Sequence, residues 1–355
     1  MKFCIYLKKT EPEVTFKSEE HIFPAGVGGI QKLPLEYVSH DCNNAFSSME
    51  LYAMRYSVLA LHRQFVGPGK RGNLNPKNAT KSKITIMSDI TDLNQIEFGY
   101  IRLGKPYSIS QMKINLNGTC NFISDRSYGD ITKQIEDFKK ELEKFNGRYT
   151  LHQDERLNQE EFILGVHEGK WHVALNNNDL EMEINKFIGK LIVQKPFENQ
   201  TPSYRTERPK VKQTIQFDDR YFRLCAKIIF NYLAFNKGQD FVLKKCFDSL
   251  REWIVNGGEN KFAVLTGREL NYPIPYPERA HKLFIVQDGK CLNGFISFYG
   301  DRFETQVKLC DDFEGMFQPD GFICDWQKRQ EFRHVDYINS LVEKFEKAFD
   351  ISSFD

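Results

Sequence analysis

Residues 18–50 contain three short stretches that together decide how this chain is interpreted: Ser18-Glu19-Glu20-His21-Ile22-Phe23-Pro24, then Gly28-Gly29, then Asp41-Cys42-Asn43-Asn44. They bring a carboxylate, an imidazole and a carboxamide together around a glycine turn. A hard divalent cation takes oxygen ligands and keeps water in its other positions, and a nearby imidazole can deprotonate one of those waters. These residue types therefore indicate the equipment for cutting a phosphodiester bond.

The pattern around these stretches predicts a strand, a turn, a second strand and a helix. Residues 3–7 form a short apolar run that we expect to be a strand, and residues 24–34 read as a turn region. From Asn43 to about Phe65 the apolar residues recur on one helical face. Asp41 precedes that run, where an N-cap residue is expected.

This order of motifs resembles the HNH (ββα-metal) endonuclease family, in the subgroup that carries Glu-His-Ile-x-Pro and ends in Cys-Asn. The resemblance covers about residues 1–65. It implies that His21 is the general base that activates water, and that Glu20 and Asn43 hold the metal. A carboxamide in place of a final histidine favours Mg²⁺ or Mn²⁺ over Zn²⁺. The resemblance implies hydrolysis of DNA, and because relatives often serve bacterial defence or mobile elements, it makes a role against foreign DNA plausible.

The chain departs from the family pattern in two ways. Many relatives frame the module with two Cys-x-x-Cys pairs that bind structural zinc, but here these positions read Cys4-x-x-Leu7 and Ser39-x-x-Cys42. Half of the ligands are missing, so a structural zinc is not expected there. The middle asparagine, whose usual role is to position the histidine region, is also absent between Gly29 and Val38.

Composition limits the remaining choices. The 355 residues carry a net charge of +1 and are 41% hydrophobic and 27% charged, as in ordinary soluble proteins. Nucleic-acid affinity must then come from a local patch, and residues 67–83 are basic with no acidic residue. Lys70 and Arg71 are the predicted contacts to the nucleic-acid backbone, although a solvated linker would have the same composition.

No apolar run is long enough for a signal peptide or a membrane span, so a cytoplasmic protein is expected. None of the eight cysteines forms a Cys-x-x-Cys pair, so reduced thiols are expected.

Breaks in the pattern predict an α+β protein in several parts. We expect a nuclease module at residues 1–66, a basic linker at 67–83, a mixed strand and helix domain at 84–194, a proline-containing linker at 195–212, and a C-terminal α+β domain at 213–355. Because no structural zinc is expected in the nuclease module, we expect it to gain its stability by packing against the rest of the chain.

Several neighbouring residues are expected to have structural roles. Glu50 is expected to orient the site or to bind a cation such as Arg55, and His40 to be a strand-end residue. The acidic stretch at 311–320 is interpreted as a solvated loop. For the whole protein, a catalytically weak or inactive nucleic-acid-binding module stays open as an alternative, as does an effector subunit activated by a protein partner or a second copy.

Overall fold

The computed structural model describes residues 3–88, 95–123, 130–176, 184, 186–189, 210–211, 217–267, 274–300 and 302–349. The chain forms two compact units. One unit joins residues 1–80 to residues 215–355, and the other comprises residues 81–214. The sequence-based division had placed the N-terminal module and the C-terminal region in separate domains. The predicted linker at 195–212 lies outside the described residues apart from 210–211.

The N-terminal segment begins with a turn where the sequence predicts a strand at residues 3–7. The Cys4 N–H donates to the Lys9 carbonyl and the Lys8 N–H to the Cys4 carbonyl, which folds the chain back on itself. His21 pairs with Lys32 in an isolated antiparallel bridge, and a 3-10 turn at Ala25–Val27 lies between them. The predicted strand, turn and strand are thus reduced to one bridged residue pair across a turn, which we call the hairpin.

Two helices follow where one was predicted: α1 (His40–Tyr56) and α2 (Val58–Phe65). Ser57 separates them, because its extended backbone stops α1 while its hydroxyl accepts from the Leu59 N–H at 3.2 Å and so caps α2. Ser39 is the residue flanking the start of α1, and Asp41 lies inside its first turn. The predicted N-cap role of Asp41 is therefore wrong by two residues.

The unit of residues 81–214 contains two sheets and the helix α3 (Ile131–Glu143), which Asp130 caps. The first sheet has the order β3-β2-β1-β9. Its strands are β1 (Thr85–Ser88), β2 (Ile96–Arg102), β3 (Lys105–Ser108) and β9 (Lys210–Val211). The second sheet has the order β5-β4-β7-β8-β6. Its strands are β4 (Ser110–Asn115), β5 (Cys120–Ile123), β6 (Tyr149–Gln153), β7 (Glu161–His167) and β8 (Lys170–Leu175). Helix α3 packs on the second sheet through Phe138 and Leu142.

The C-terminal segment contains helices and one antiparallel sheet. The helices are α4 (Asp219–Lys237), α5 (Gln239–Val242), α6 (Asp248–Asn256) and α7 (His334–Phe349). The sheet has the order β10-β13-β12-β11-β14-β15. Its strands are β10 (Ala263–Leu265), β11 (His281–Asp288), β12 (Cys291–Phe298), β13 (Arg302–Cys310), β14 (Asp320–Asp325) and β15 (Gln330–Arg333). A 3-10 turn at Lys245–Phe247 separates α5 from α6.

One hydrophobic core unites the N- and C-terminal segments. It runs from Ile5, Phe23 and Phe46 of the first segment to Ile229 of α4 and Phe322 of β14. Burial of these side chains stabilises the N-terminal module through contacts with the C-terminal segment. The chain is thus an α+β protein, as the sequence predicts, and the small module is part of a larger core. No helix in the described ranges is long and apolar enough to cross a membrane.

Candidate functional site

The glycine turn of the N-terminal segment is held against the C-terminal sheet. Gly28 has φ +100°, and a Cβ there would lie 2.5 Å from the Cβ of Trp326, so both backbone freedom and close approach require glycine. The Nε2 of His281 lies 2.9 Å from the Val27 carbonyl just before the turn. The carboxylate of Glu331 accepts from the Ile30 N–H at 3.1 Å just after it. These contacts fix the turn that separates Glu20 and His21 from the start of α1.

The hairpin places Glu20 and His21 at its base. The Ile22 N–H donates to the Gln31 carbonyl at 3.0 Å, and the Leu33 N–H donates to the Glu20 carbonyl at 2.8 Å. The Glu20 side chain is only 5% exposed, whereas His21 is half-buried. The backbone therefore directs the carboxylate inward and leaves the imidazole with access to solvent.

A buried lysine joins the carboxylate of Glu20 to that of Glu50. Lys227 lies on α4, is fully buried, and its Nζ forms ion pairs with the Oε1 atoms of Glu20 and Glu50. The cation partner of Glu50 is thus Lys227, and the sequence-based expectation of Arg55 is not what the structure contains. An unpaired ammonium would be very costly to bury, so the two carboxylates are what makes this position tolerable. We call Glu20, Glu50 and Lys227 the oxygen cluster.

Charge and burial set the protonation of this region. Burial alone would lower the pKa of Lys227, but the two carboxylates raise it above its ordinary value, so the ammonium stays charged. Burial raises the pKa of Glu50, and Lys227 opposes that shift. Burial, together with the positive charges of Lys32 and Lys227, lowers the pKa of His21. His21 is therefore a neutral imidazole at neutral pH and can accept a proton.

Asn231 holds the backbone of His21 from the same helix that carries Lys227. Its Nδ2 donates to the His21 carbonyl at 2.9 Å, and its Oδ1 accepts from the Tyr6 hydroxyl at 2.6 Å. Asn231 is fully buried and follows Lys227 by four residues, so both lie on one face of α4. One helical face thus contacts both Glu20 and His21.

Asn43 lies half-buried in the first turn of α1, near but not bonded to the other two predicted site residues. Its Nδ2 donates to the Ser18 hydroxyl at 2.9 Å, two residues before Glu20. Within the described ranges, no hydrogen bond joins Asn43 to Glu20 or to His21. The amide nitrogen of Asn43 is used in this contact, and its carboxamide oxygen is the atom that would serve a cation.

Lys70 and Arg71 lie exposed on a turn that packs beside the glycine turn. A Cβ on Gly72 would lie 2.9 Å from the Ala25 carbonyl and 3.2 Å from the Cα of Gly28. Both cationic side chains are exposed, and they belong to a 3-10 turn at Lys70–Gly72. Residues 67–80 of the predicted basic linker are therefore part of the same unit as the hairpin.

The positions that correspond to zinc ligands in the resembling family lie together. The Sγ of Cys4 lies 4.0 Å from the Sγ of Cys42 and 3.4 Å from the Ser39 hydroxyl. The hydrogen bond with Cys42 lowers the pKa of Cys4 to about 5, although burial opposes it. Leu7, at the fourth position, has an apolar side chain with no ligand atom.

Lys227 and Asn231 are the residues that sequence reasoning missed. The signal was present, because a lysine and an asparagine interrupt the apolar run from Leu224 to Leu233. A charged residue is almost never fully buried unless it is paired. What the sequence does not reveal is the partner, since Glu20 and Glu50 lie about two hundred residues away along the chain and are brought close only by folding.

Comparison with protein-family models, with curated proteins and with solved structures finds no match for this chain.

Proposed function

We propose that the protein is a metal-dependent endonuclease that hydrolyses DNA phosphodiester bonds at His21. One observation carries this proposal. The hairpin and α1, in the order that the ββα resemblance requires, place the half-buried imidazole of His21 directly after the buried Glu20, with Glu50 close enough for its charge to act on the pKa of His21. A base with solvent access beside concentrated negative charge is the arrangement that metal-assisted hydrolysis needs.

His21 would act as the general base. Its lowered pKa keeps the imidazole neutral near pH 7, so a ring nitrogen has a free lone pair to take the proton of an attacking water. Its main-chain carbonyl is fixed by Asn231, which restricts where the ring can lie. General-base catalysis of this kind contributes about 10²- to 10⁴-fold to a rate.

The donor atoms around His21 fit a hard divalent cation. Glu20 and Glu50 offer carboxylate oxygens and Asn43 a carboxamide oxygen, which are the ligand types that Mg²⁺ and Mn²⁺ prefer. Two carboxylates hold more negative charge than the single ammonium of Lys227 neutralises when both are ionised. Glu20 and Asn43 would hold the ion, which when bound supplies a Lewis acid that stabilises negative charge on the phosphate.

Lys227 and Asn231 would be positioning residues. Lys227 is fully buried and cannot reach a substrate, so its role is to fix the Glu20 carboxylate. Asn231 supplies a carboxamide to the histidine region, which is the role of the middle asparagine that this hairpin lacks. Helix α4 of the C-terminal segment would thus complete a module whose own sequence is incomplete.

A second candidate is a nucleic-acid-binding module without catalysis. It is favoured by one feature: Glu20 already has a buried cation partner in Lys227, as a purely structural ion pair would. The exposed Lys70 and Arg71 beside the glycine turn would then contact phosphates in both candidates.

A plasmid-cleavage assay separates the two. The full chain is incubated with supercoiled plasmid and with Mg²⁺, Mn²⁺ or a chelator, with single-stranded DNA and RNA as further substrates. We expect cleavage only with a divalent ion, and a loss of about 10²- to 10⁴-fold in His21→Ala.

His40→Ala is the matched control, because it removes an imidazole from the same segment, where His40 contacts Asn44 at 3.1 Å. We expect His40→Ala to cut at nearly the unaltered rate. Equal cleavage by His21→Ala and the unaltered chain would remove His21 from the mechanism. DNA binding without any cleavage, in the presence of either metal, would favour the second candidate.

A further inference from the structure

A second cluster of metal-ligating side chains lies far from His21 in the sequence and has a different chemistry. The ligand atoms of Cys246, Cys310 and Asp312 all lie within 4.8 Å of one another. Cys246 belongs to the 3-10 turn before α6, Cys310 ends β13, and Asp312 follows in the next loop. We call these three residues the thiol cluster.

We propose that the thiol cluster binds a zinc ion. Zn²⁺ takes thiolate, imidazole and carboxylate ligands in a tetrahedral arrangement, so two cysteines and one aspartate are a suitable set. Zn–S bonds of about 2.3 Å separate two sulfur ligands by about 3.8 Å, so the observed cluster needs only a small side-chain adjustment. The hard ions expected near Glu20 prefer oxygen and would bind poorly here.

The two segments that supply the ligands are held together by aromatic contacts. The ring of Phe241 lies 5.8 Å from that of Phe247, beside Cys246, and 5.7 Å from that of Phe313, beside Asp312. The Phe313 N–H also donates to the Lys290 carbonyl at 2.9 Å, which fixes the loop that follows Cys310. The ligands are therefore brought together by packing before any ion binds.

Three protein ligands leave one position of a tetrahedral ion for solvent. The cluster lies in the wall of a cleft of about 990 Å³, where Cys246 is half-buried and Asp312 is exposed. An ion bound there would be reached through the cleft, and a water or a small anion would complete its coordination. An incomplete protein ligand set of this kind is typical of zinc sites that are open to exchange.

Charge around the cleft favours a zinc–thiolate site. Two thiolates and one carboxylate on Zn²⁺ leave one net negative charge, and four lysines line the cleft together with Asp311 and Glu314. Lys308 pairs with Asp311 at 2.7 Å, and Lys244 lies over the ring of Phe241 at 4.6 Å. Zinc binds cysteine as the thiolate, so Cys246 and Cys310 each lose a proton when the ion binds. Zinc must displace both protons, so its affinity should rise with pH.

Cobalt titration of the full, reduced and chelator-treated chain tests this proposal. Co²⁺ reports thiolate ligation through a charge-transfer absorption band and tetrahedral geometry through its visible bands. We expect one Co²⁺ per chain with both signatures, displacement by one equivalent of Zn²⁺, and tighter binding at pH 8 than at pH 6. Cys246→Ser and Asp312→Asn should each weaken binding by at least about a hundredfold, more than loss of a supporting residue costs.

Matched variants show whether the cobalt signal comes from the thiol cluster. Cys291→Ser alters a half-buried cysteine of the neighbouring strand β12, and Asp311→Asn alters the carboxylate next to Asp312; both should bind as the unaltered chain does. Cys42→Ser removes the other cysteine pair and should also retain the band. Because Asp312 is exposed, Asp312→Asn tests the site without disturbing the core.

Three results would overturn the proposal. The first is a chain that binds no Co²⁺, and the second is a band that survives in Cys246→Ser but not in Cys42→Ser. The third is a disulfide between Cys246 and Cys310 that is the stable state under reducing conditions.

Discussion

The oxygen cluster and the thiol cluster lie in the same unit but solve the problem of buried polar groups in opposite ways. Glu20 and Glu50 come from the N-terminal segment, and the chain itself supplies their cation as Lys227 of α4. The thiol cluster is built entirely within the C-terminal segment and contains no cation of its own. Neutral thiols tolerate burial without a partner, whereas carboxylates do not. The two carboxylates therefore depend on Lys227 for their stability, while the two cysteines do not depend on an internal cation.

Loss of the internal cation should break the first cluster with the largest effect on stability. Lys227→Met removes the ammonium and leaves two buried carboxylates without their partner, so the free energy of unfolding should fall by about 3–5 kcal/mol. Chemical denaturation with urea measures this change. Lys237→Met makes the same substitution at the exposed end of the same helix and should change stability by less than about 0.5 kcal/mol.

The triple variant Lys227→Met, Glu20→Gln, Glu50→Gln extends this test. It removes the charges together with their counter-charge, so it should recover much of the lost stability while abolishing cleavage. A Lys227→Met chain that is as stable as the unaltered one would contradict the ion-pair account.

Acid should loosen the attachment of the N-terminal segment to the sheet. The Nδ1 of His281 accepts from the Tyr299 N–H, and its Nε2 lies 2.9 Å from the Val27 carbonyl. The form that fits both contacts is the neutral imidazole with its proton on Nε2. Burial lowers the pKa of His281 to about 3, below the value of about 6.5 in an unfolded chain. Below pH 6.5 the unfolded state binds a proton at this histidine that the folded state does not bind. The contribution of His281 to stability is therefore fully present above pH 6.5 and is lost as the pH falls towards 3.

We expect His281 to account for a decrease of about 2 kcal/mol in the free energy of unfolding between pH 7 and pH 5. Urea denaturation at both pH values measures it. The His281→Gln variant should start from a lower stability but lose less of it on acidification. An identical pH dependence in both chains would show that His281 is not the group responsible.

Removal of the hydrogen bonds to Asn231 should have a smaller effect on stability and a selective one on catalysis. Asn231→Leu keeps the branched shape of the side chain but removes its polar atoms. The His21 carbonyl then loses its donor, and the Tyr6 hydroxyl keeps only its 3.5 Å contact with the Lys227 carbonyl, which costs about 1–3 kcal/mol. Tyr6→Phe keeps the bond to the His21 carbonyl and removes both contacts of the Tyr6 hydroxyl, and it should cost about 1 kcal/mol.

In the cleavage assay, Asn231→Leu should lower kcat more than it raises KM, because it shifts the base and not a substrate contact. Tyr6→Phe serves as the matched comparison and should retain most of the activity. Equal kcat values in Asn231→Leu and the unaltered chain would show that Asn231 does not position His21 and has only a structural role in the core.

Asn43 gives the smallest effect on stability and the most specific one on metal use. It is half-buried near Ser18, so Asn43→Ala should change the free energy of unfolding by less than about 0.5 kcal/mol. Loss of a metal ligand should still raise the Mg²⁺ concentration needed for half-maximal cleavage by about tenfold or more. Asn44→Ala, one residue further along α1, should leave the metal requirement unchanged. An unchanged requirement in Asn43→Ala would remove Asn43 from the ligand set.

How much of this could be predicted from the sequence depends on how local each feature is. The helix at Asp219–Lys237, its end at Gly238 and the helix at Ile131–Glu143 follow from periodicity and short-range signals. The strand predicted at residues 3–7 failed because backbone hydrogen bonds to Lys8 and Lys9 close a turn there. An apolar run alone does not distinguish a strand from a buried turn.

The long-range parts of both clusters were not predictable from pattern. His21, Glu20 and Asn43 stand out as a motif, whereas Lys227 belongs to the cluster only because α4 packs against α1. The sequence also gives no signal that Cys246 and Cys310 lie together, since neither belongs to a Cys-x-x-Cys pair. The acidic loop around Asp312 reads as solvated until folding places both sulfurs beside it. One sequence without its contacts carries no information about such pairs.

Anomalous diffraction from crystals grown with Mn²⁺ tests the central claim most directly, namely that the hairpin and α1 form a metal-dependent hydrolytic site. The account predicts a manganese peak within coordination distance, about 2.1–2.2 Å, of a Glu20 oxygen and the Asn43 oxygen, with His21 facing the bound water. Crystals at millimolar Mn²⁺ that show no peak beside Glu20, with its carboxylate still paired to Lys227, would contradict it.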